Sequence, residues 1–156
     1  MRSILAILVC VLSLSVAAQD EVTPQVMLIG EMDAQYEQMV AECNSLLLTV
    51  SDNSMEVAFD HWTSMLADME SAAADQGIDI KGAKLWMNLF WNADGSIRNI
   101  YYYPKPTSKN MDFEELTAFL NDFASSYVFP VAYESCYSHY GSATFPIRRR
   151  VNTEAK

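Results

Sequence analysis

KLWMNLFW (84–91), NADG (92–95), SIRNIYYY (96–103), PKPTSKN (104–110), MDFEELTAFLNDFASSY (111–127), VFPVAYESCYSHYG (128–141) and SATFPI (142–147) decide how this chain folds. From Leu85 the apolar residues alternate, with Leu85, Met87, Leu89 and Trp91 on one side and Trp86, Asn88 and Phe90 on the other. That is the period of a β-strand, and because both sides are largely apolar the strand is expected to be central and covered on both faces. Asn92-Ala93-Asp94-Gly95 is a turn, Asp-Gly supplying the positive φ that a tight hairpin needs. Ser96 to Tyr103 returns as a second strand, with Ile97, Asn99, Tyr101 and Tyr103 opposite Arg98, Ile100 and Tyr102. Pro104 and Pro106 end it, since neither can donate to a ladder.

The next element starts with a strong helix signal. Asp112 can cap, Glu115 stands three residues on, and Met111 can staple against Leu116. Phe113, Leu116, Phe119, Leu120 and Phe123 then form one apolar face, which must lie on the preceding hairpin. Ala143 to Arg148 alternates weakly and contains Pro146, which suits an edge strand. The expectation is an α+β layer: a small antiparallel sheet with one helix packed on it, in the order β-β-α-β.

Outward toward the N-terminus the period changes to that of helices. Between Glu31 and Val50, Met32, Tyr36, Met39, Val40, Cys43, Leu46 and Leu47 recur at three- and four-residue spacing. Ser51 to Ser54 breaks the pattern, and Asn53 with Glu56 can form a capping box. Phe59, Trp62, Met65, Leu66, Met69 and Ala73 then mark one face of a second helix reaching about Gln76, with Gly77 as its stop. Residues 27–80 are therefore expected to form an αα-hairpin. Its methionines, Met27, Met32, Met39, Met55, Met65 and Met69, fall at helical spacing. Core packing explains them better than a Met-lined groove or a soft-metal site.

Residues 1–18 read as a cleaved signal peptide, with Arg2 before the apolar run Ile4 to Val16 and small residues at Val16-Ala17-Ala18. The run is shorter than the ~20 residues a spanning helix needs. A retained anchor is the competing reading. Residues 19–156 are read as a single exported domain, comprising the helical part (27–80) and the α+β part (84–150). Two cysteines follow the signal segment, Cys43 and Cys136. In an oxidising compartment they invite a disulfide, and two buried unpaired thiols is the other reading.

Charge divides along the chain. Residues 19–80 hold 13 Asp or Glu and no Lys or Arg, whereas residues 81–156 hold 7 acids and 9 bases, so residues 19–156 carry −13 + 2 = −11. That balance excludes nucleic acid as a partner, because phosphate contact needs a basic surface. A solvated acidic helix surface is the simplest account of the first half, ahead of a cation site or a dock for a basic partner. His61 and His139 are the only histidines. Cys136 and His139 stand three apart after Glu134, but no oxyanion-type glycine motif or second ligand pair supports a nucleophile or a metal site. No catalytic residue, metal ligand or cofactor is assigned.

The strand, Asp94-Gly95 turn, strand, amphipathic helix, Tyr127 to Pro130 and final strand resemble the C-terminal domain of the TonB family. The resemblance covers residues about 84–147. It implies a non-catalytic envelope module that binds a partner protein or peptide by adding it as a strand to the sheet edge. The usual uncleaved anchor and Pro-rich spacer of that family have no counterpart in this sequence. Periplasmic or secreted location is expected, with no stable membrane insertion after signal cleavage. Tyr101, Tyr103, Phe145 and Arg148 are the candidate contact residues. The alternative is an exported small-ligand- or cation-binding protein.

Overall fold

The computed structural model describes residues 24–31, 33–109 and 112–148. It is α+β, with elements in the order β1 (Val26–Leu28), α1 (Asp33–Glu42), β2 (Ser45–Leu46), α2 (Leu47–Val50), α3 (Met55–Asp75), β3 (Lys84–Trp91), β4 (Ile97–Pro104), α4 (Phe113–Ser126) and β5 (Tyr137–Thr144). The strands form one five-stranded sheet in the order β1-β4-β3-β5-β2.

The central hairpin is β3 and β4, antiparallel, with Leu85 opposite Pro104 and Leu89 opposite Ile100. A bulge between Phe90 and Trp91 places Phe90 opposite Asn99 but Trp91 opposite Ile97. Gly95 closes the turn at φ +86°. The sheet is mixed, not purely antiparallel: β1 runs parallel to β4 and β2 parallel to β5. Both added strands come from the N-terminal half, in stretches too short for alternation to register.

The two faces of β3 separate two cores. Leu85, Met87, Leu89 and Trp91 join Ile97, Ile100, Tyr102, Tyr137 and Ala143 on one face, under Trp62, Met65, Leu66 and Met69 of α3 and Leu116, Phe119, Leu120 and Phe123 of α4. Removing each such aliphatic or aromatic side chain from water contributes roughly 1.5–3 kcal/mol. Phe90 and Tyr101 on the other face pack with Met27, and with Met39 and Cys43 from α1 and its end.

The expected αα-hairpin is therefore not what forms. α1 and α3 cover opposite faces of the sheet, and the single helix expected over 31–50 is divided into α1, β2 and α2. The cause is local: Ser45 and Leu46 pair with Tyr137 and Ser138 of β5, and Cys43 is bonded to Cys136. Of the expected stripe, Met39, Cys43 and Leu47 are buried, whereas Val40 and Leu46 are exposed. Met32 lies outside the described residues, as does Met111 of the expected staple.

Helix starts follow their caps. Asp112 accepts from the backbone N–H groups of Glu114 and Glu115 at 2.9 and 3.2 Å, as its position suggested. At α3 the cap is Ser54, accepting from Val57 N–H at 3.3 Å, not Asn53. Asn53 is left-handed at φ 60°, whereas a cap residue needs extended backbone. The last strand is Tyr137–Thr144, six residues earlier at its start than expected, and Pro146 lies beyond it.

Candidate interaction surface

β5 is paired along its inner side with β3 over all eight residues, Lys84 opposite Thr144 through Trp91 opposite Tyr137. Among the described residues its outer side is paired only at Tyr137 and Ser138, by β2. The phase of the ladder decides what the rest of that outer side presents. Phe145 N–H donates to the Ala83 carbonyl at 2.9 Å, in the same register. Because antiparallel pairs alternate, Ala143, Gly141 and His139 turn their main-chain groups inward to β3. Lys105 N–H donating to the Lys84 carbonyl at 2.8 Å fits the same phase on the other side of β3. Tyr140, Ser142 and Thr144 therefore turn N–H and C=O outward. Among the described residues the Trp62 indole alone reaches these groups, its Nε1–H lying a long 3.5 Å from the Ser142 carbonyl.

Tyr137 to Thr144 contains no charged residue and no proline, two of the devices that ordinarily stop another chain from pairing with an exposed strand. The Lys105 ammonium, from beyond β4, donates to the Ser142 hydroxyl. At a rise of about 3.4 Å per residue, Tyr140 to Thr144 offers roughly 17 Å of open edge.

The sheet face beside this edge is open where α1 stops. Tyr103, Trp86 and Ser142 lie in one row across β4, β3 and β5, and Tyr101, Asn88 and Tyr140 in the next. Trp86 is 40 % exposed, Tyr103 51 % and Tyr140 57 %. The Trp86 and Tyr140 rings lie 6.0 Å apart and nearly parallel, and the Lys105 ammonium sits 3.7 Å from the Trp86 ring centroid. Asn88 is buried, donating to the Tyr36 hydroxyl at 3.0 Å. Burial, followed by the neighbouring Tyr36, raises the pKa of the Tyr101 phenol above its ordinary value.

The four candidate contact residues do not form one surface. Tyr101 and Phe145 are core residues, fully buried and 2 % exposed respectively. Strand alternation turns Tyr101 toward the face that α1 covers, where its ring meets Tyr36 at 4.9 Å. Phe145 follows Thr144 into the large core instead of continuing an exposed edge strand. Tyr103 is exposed in the open row, and Arg148 is exposed beyond the last strand. Trp86 and Tyr140 complete the surface; Tyr140 escaped notice because Gly141 beside it weakens the strand pattern.

Cys43 and Cys136 are joined as a disulfide with their Cα atoms 4.9 Å apart. Arg98, in the β4 bulge, places Nη1 at 3.7 Å from Cys43 Sγ and 3.9 Å from Cys136 Sγ, and Nη2 at 2.7 Å from Glu42. Hydrogen bonds from Gln38 and then Arg98 hold the Glu42 carboxyl below the usual carboxylate range. Cys136 and His139 do not meet as a nucleophile and base. The sulfur is bonded to Cys43, and the imidazole lies on the opposite face, 4.7 Å from the Trp62 ring. Burial there pushes the His139 pKa down. His61 is half-buried against Phe129, ring centroids 5.7 Å apart. Among the described residues no group of three or more His, Cys, Asp or Glu is placed to hold a metal ion. No helix among them is long and apolar enough to cross a membrane. No family model, curated protein or solved structure matches this chain.

Proposed function

We propose that this chain is an exported, non-catalytic interaction module, similar in its mode to TonB-family C-terminal domains, that takes an extended peptide of an envelope protein as an added strand beside Tyr140–Thr144. The observation that carries the reading is the outer edge of β5, a strand with no charged residue or proline of its own and with three residues whose main-chain groups point away from the sheet. An added strand would satisfy those groups, and side chains at alternate peptide positions would fall over Tyr140 and Trp86. The disulfide supports an oxidising compartment, and therefore export.

The test is a crosslinking capture from an envelope fraction of the native host, run with the wild type and with Ser142→Pro. The expected result is a partner whose crosslinks map to Tyr140–Thr144 and whose capture the proline removes. Capture that is indifferent to Ser142→Pro, or crosslinks that map elsewhere, would refute strand addition at this edge.

A further inference from the structure

At the opposite edge of the sheet from the open one, a cleft of about 600 Å³ lies among the two residues preceding β1, the flank of α1, the start of β4 and α4. Its size is within the range of small-molecule sites. Four side-chain amides line it, Gln25, Gln35, Asn99 and Asn121, together with Arg98 and the apolar Pro24 and Met39.

The amides are oriented by what they donate to. Gln25 Nε2 donates to the carbonyls of Ile97 at 2.6 Å and Ala124 at 3.3 Å. Asn121 Nδ2 donates to the Thr117 carbonyl at 2.9 Å, and Asn99 Nδ2 makes a long bond to the Gln25 carbonyl at 3.5 Å. A carbonyl only accepts, so Gln25, Asn99 and Asn121 must each present the nitrogen to it and turn the oxygen away. Gln35 Oε1 is buried with no hydrogen-bond partner. Asn99 beside it is only 7 % exposed. A buried acceptor left without a donor costs free energy, so a ligand that supplies donors is favoured here.

The charge of the wall narrows the class. Its one ionic group, Arg98, is already paired with Glu42 at 2.7 Å. A cation would face the guanidinium and an anion would face the amide oxygens. Adjacent hydroxyls suit the cleft better, since each donates to an amide oxygen while accepting from an Arg98 N–H, with Pro24 and Met39 against the carbon skeleton. We propose that this cleft binds a neutral polyhydroxylated small molecule of monosaccharide size. The inference is independent of the strand-addition reading, because it uses the other side of the sheet.

The experiment is a ¹⁵N-resolved NMR titration of the folded, disulfide-bonded protein with D-glucose, D-galactose, D-mannose, N-acetyl-D-glucosamine and myo-inositol, each in large excess. The expected result is saturable shifts of the side-chain amide signals of Gln25, Gln35, Asn99 and Asn121 with at least one of the five. Asn121→Leu should weaken that binding by about tenfold, the loss of one well-made hydrogen bond, with the melting temperature nearly unchanged. Should Asn121→Leu fail to fold, Gln35→Leu on α1 carries the same expectation. Absence of a saturable shift with all five compounds would overturn the proposal, as would binding that survives the substitution in a folded variant. A stronger response to an alkylammonium or a carboxylate than to any polyol would also overturn it.

Discussion

Two prolines placed one residue apart on β5 should have opposite consequences, and the contrast tests both the phase of the ladder and the use of the edge. Ser142 is exposed and turns its N–H away from β3, so Ser142→Pro removes a donor that has no partner among the described residues. The loss is confined to the exposed contact between Lys105 and the Ser142 hydroxyl and to the fixed φ of the ring. Together these cost about 1 kcal/mol, or roughly 4 °C in Tm for a domain of this size. Ala143 is fully buried and turns its N–H inward to the Leu85 carbonyl. Ala143→Pro leaves that carbonyl without its donor, about 1–3 kcal/mol, and forces a larger ring into a packed site, about 1–3 kcal/mol more. The expected drop in Tm is about 8–24 °C by the same scaling, ~4 °C per kcal/mol.

Partner binding should invert the order of severity. An added strand needs the Ser142 N–H as a donor, and the proline ring projects into the space the strand would occupy. Ser142→Pro should weaken association by at least about tenfold, the equivalent of ~1.4 kcal/mol. Ser142→Ala, which keeps the N–H, should bind as the wild type does. The assays are thermal melting by circular dichroism and a titration against the captured partner peptide. Equal destabilisation by the two prolines would show that the inferred ladder phase is wrong. Full affinity in a folded Ser142→Pro protein would remove the edge from the binding mode.

Replacing both Cys43 and Cys136 by serine opens a constraint between residues 93 apart in sequence, and loop-closure arguments put the loss at up to about 4–5 kcal/mol; urea unfolding with and without a dithiol reductant checks it, and an unchanged midpoint would show that Met39 and Tyr36 hold α1 without the bond. Burial lowers the His139 pKa in the fold, so below about 6.5 the unfolded chain takes up a proton more readily than the native one. Stability should therefore fall as pH drops through that range, and His139→Gln should flatten this part of the stability profile measured by urea titration. Gly95→Ala should be severe, because φ is +86° and an added Cβ would meet the Phe129 carbonyl oxygen, a backbone atom in a fixed strand-like contact. The left-handed penalty alone is roughly 1–2 kcal/mol before the clash, so a melt within a few degrees of wild type would contradict the turn geometry. The polyol titration described above is the fifth expectation, and it stands or falls without any of these.

How much of this was legible in the sequence depends on whether an element signals itself locally. β3, the Asp94-Gly95 turn, β4 and α4 were, because strict alternation, a positive-φ glycine and Asp112 before Glu115 are each sufficient within a few residues. The helix over 55–75 was legible for the same reason, and only its cap was displaced by one residue from Asn53 to Ser54. β1 and β2 were not, being three and two residues long. Such segments become strands only because β4 and β5 already present free edges to them. The helical stripe through Cys43, Leu46 and Leu47 was real as a pattern, yet pairing of Ser45 and Leu46 with β5 overrode it. Among the site residues, alternation puts Tyr101 and Tyr103 on one face, and what separates the buried ring from the exposed one is how far α1 covers that face, which no local signal gives.

Gly141 joins the missed strand to the missed surface. In sequence it sits in the middle of Tyr137–Thr144 and argues against a strand, since glycine weakens strand interiors and offers nothing to pack. In the fold the α3 indole presses against it: a Cβ there would meet Trp62 Cε2 and Cζ2 at 2.8 Å. The absent side chain therefore admits Trp62 beneath β5 and brings its Nε1–H toward the Ser142 carbonyl. With α3 seated on that face, β5 is supported from below while Tyr140 and Ser142 on the other face remain uncovered. The strand can thus stay ordered by packing on one face and by β3 along one side, with β2 alone along the first two residues of the other. A strand edge held in this way is rigid before a partner arrives, so a peptide adding to it would bear mainly its own ordering cost.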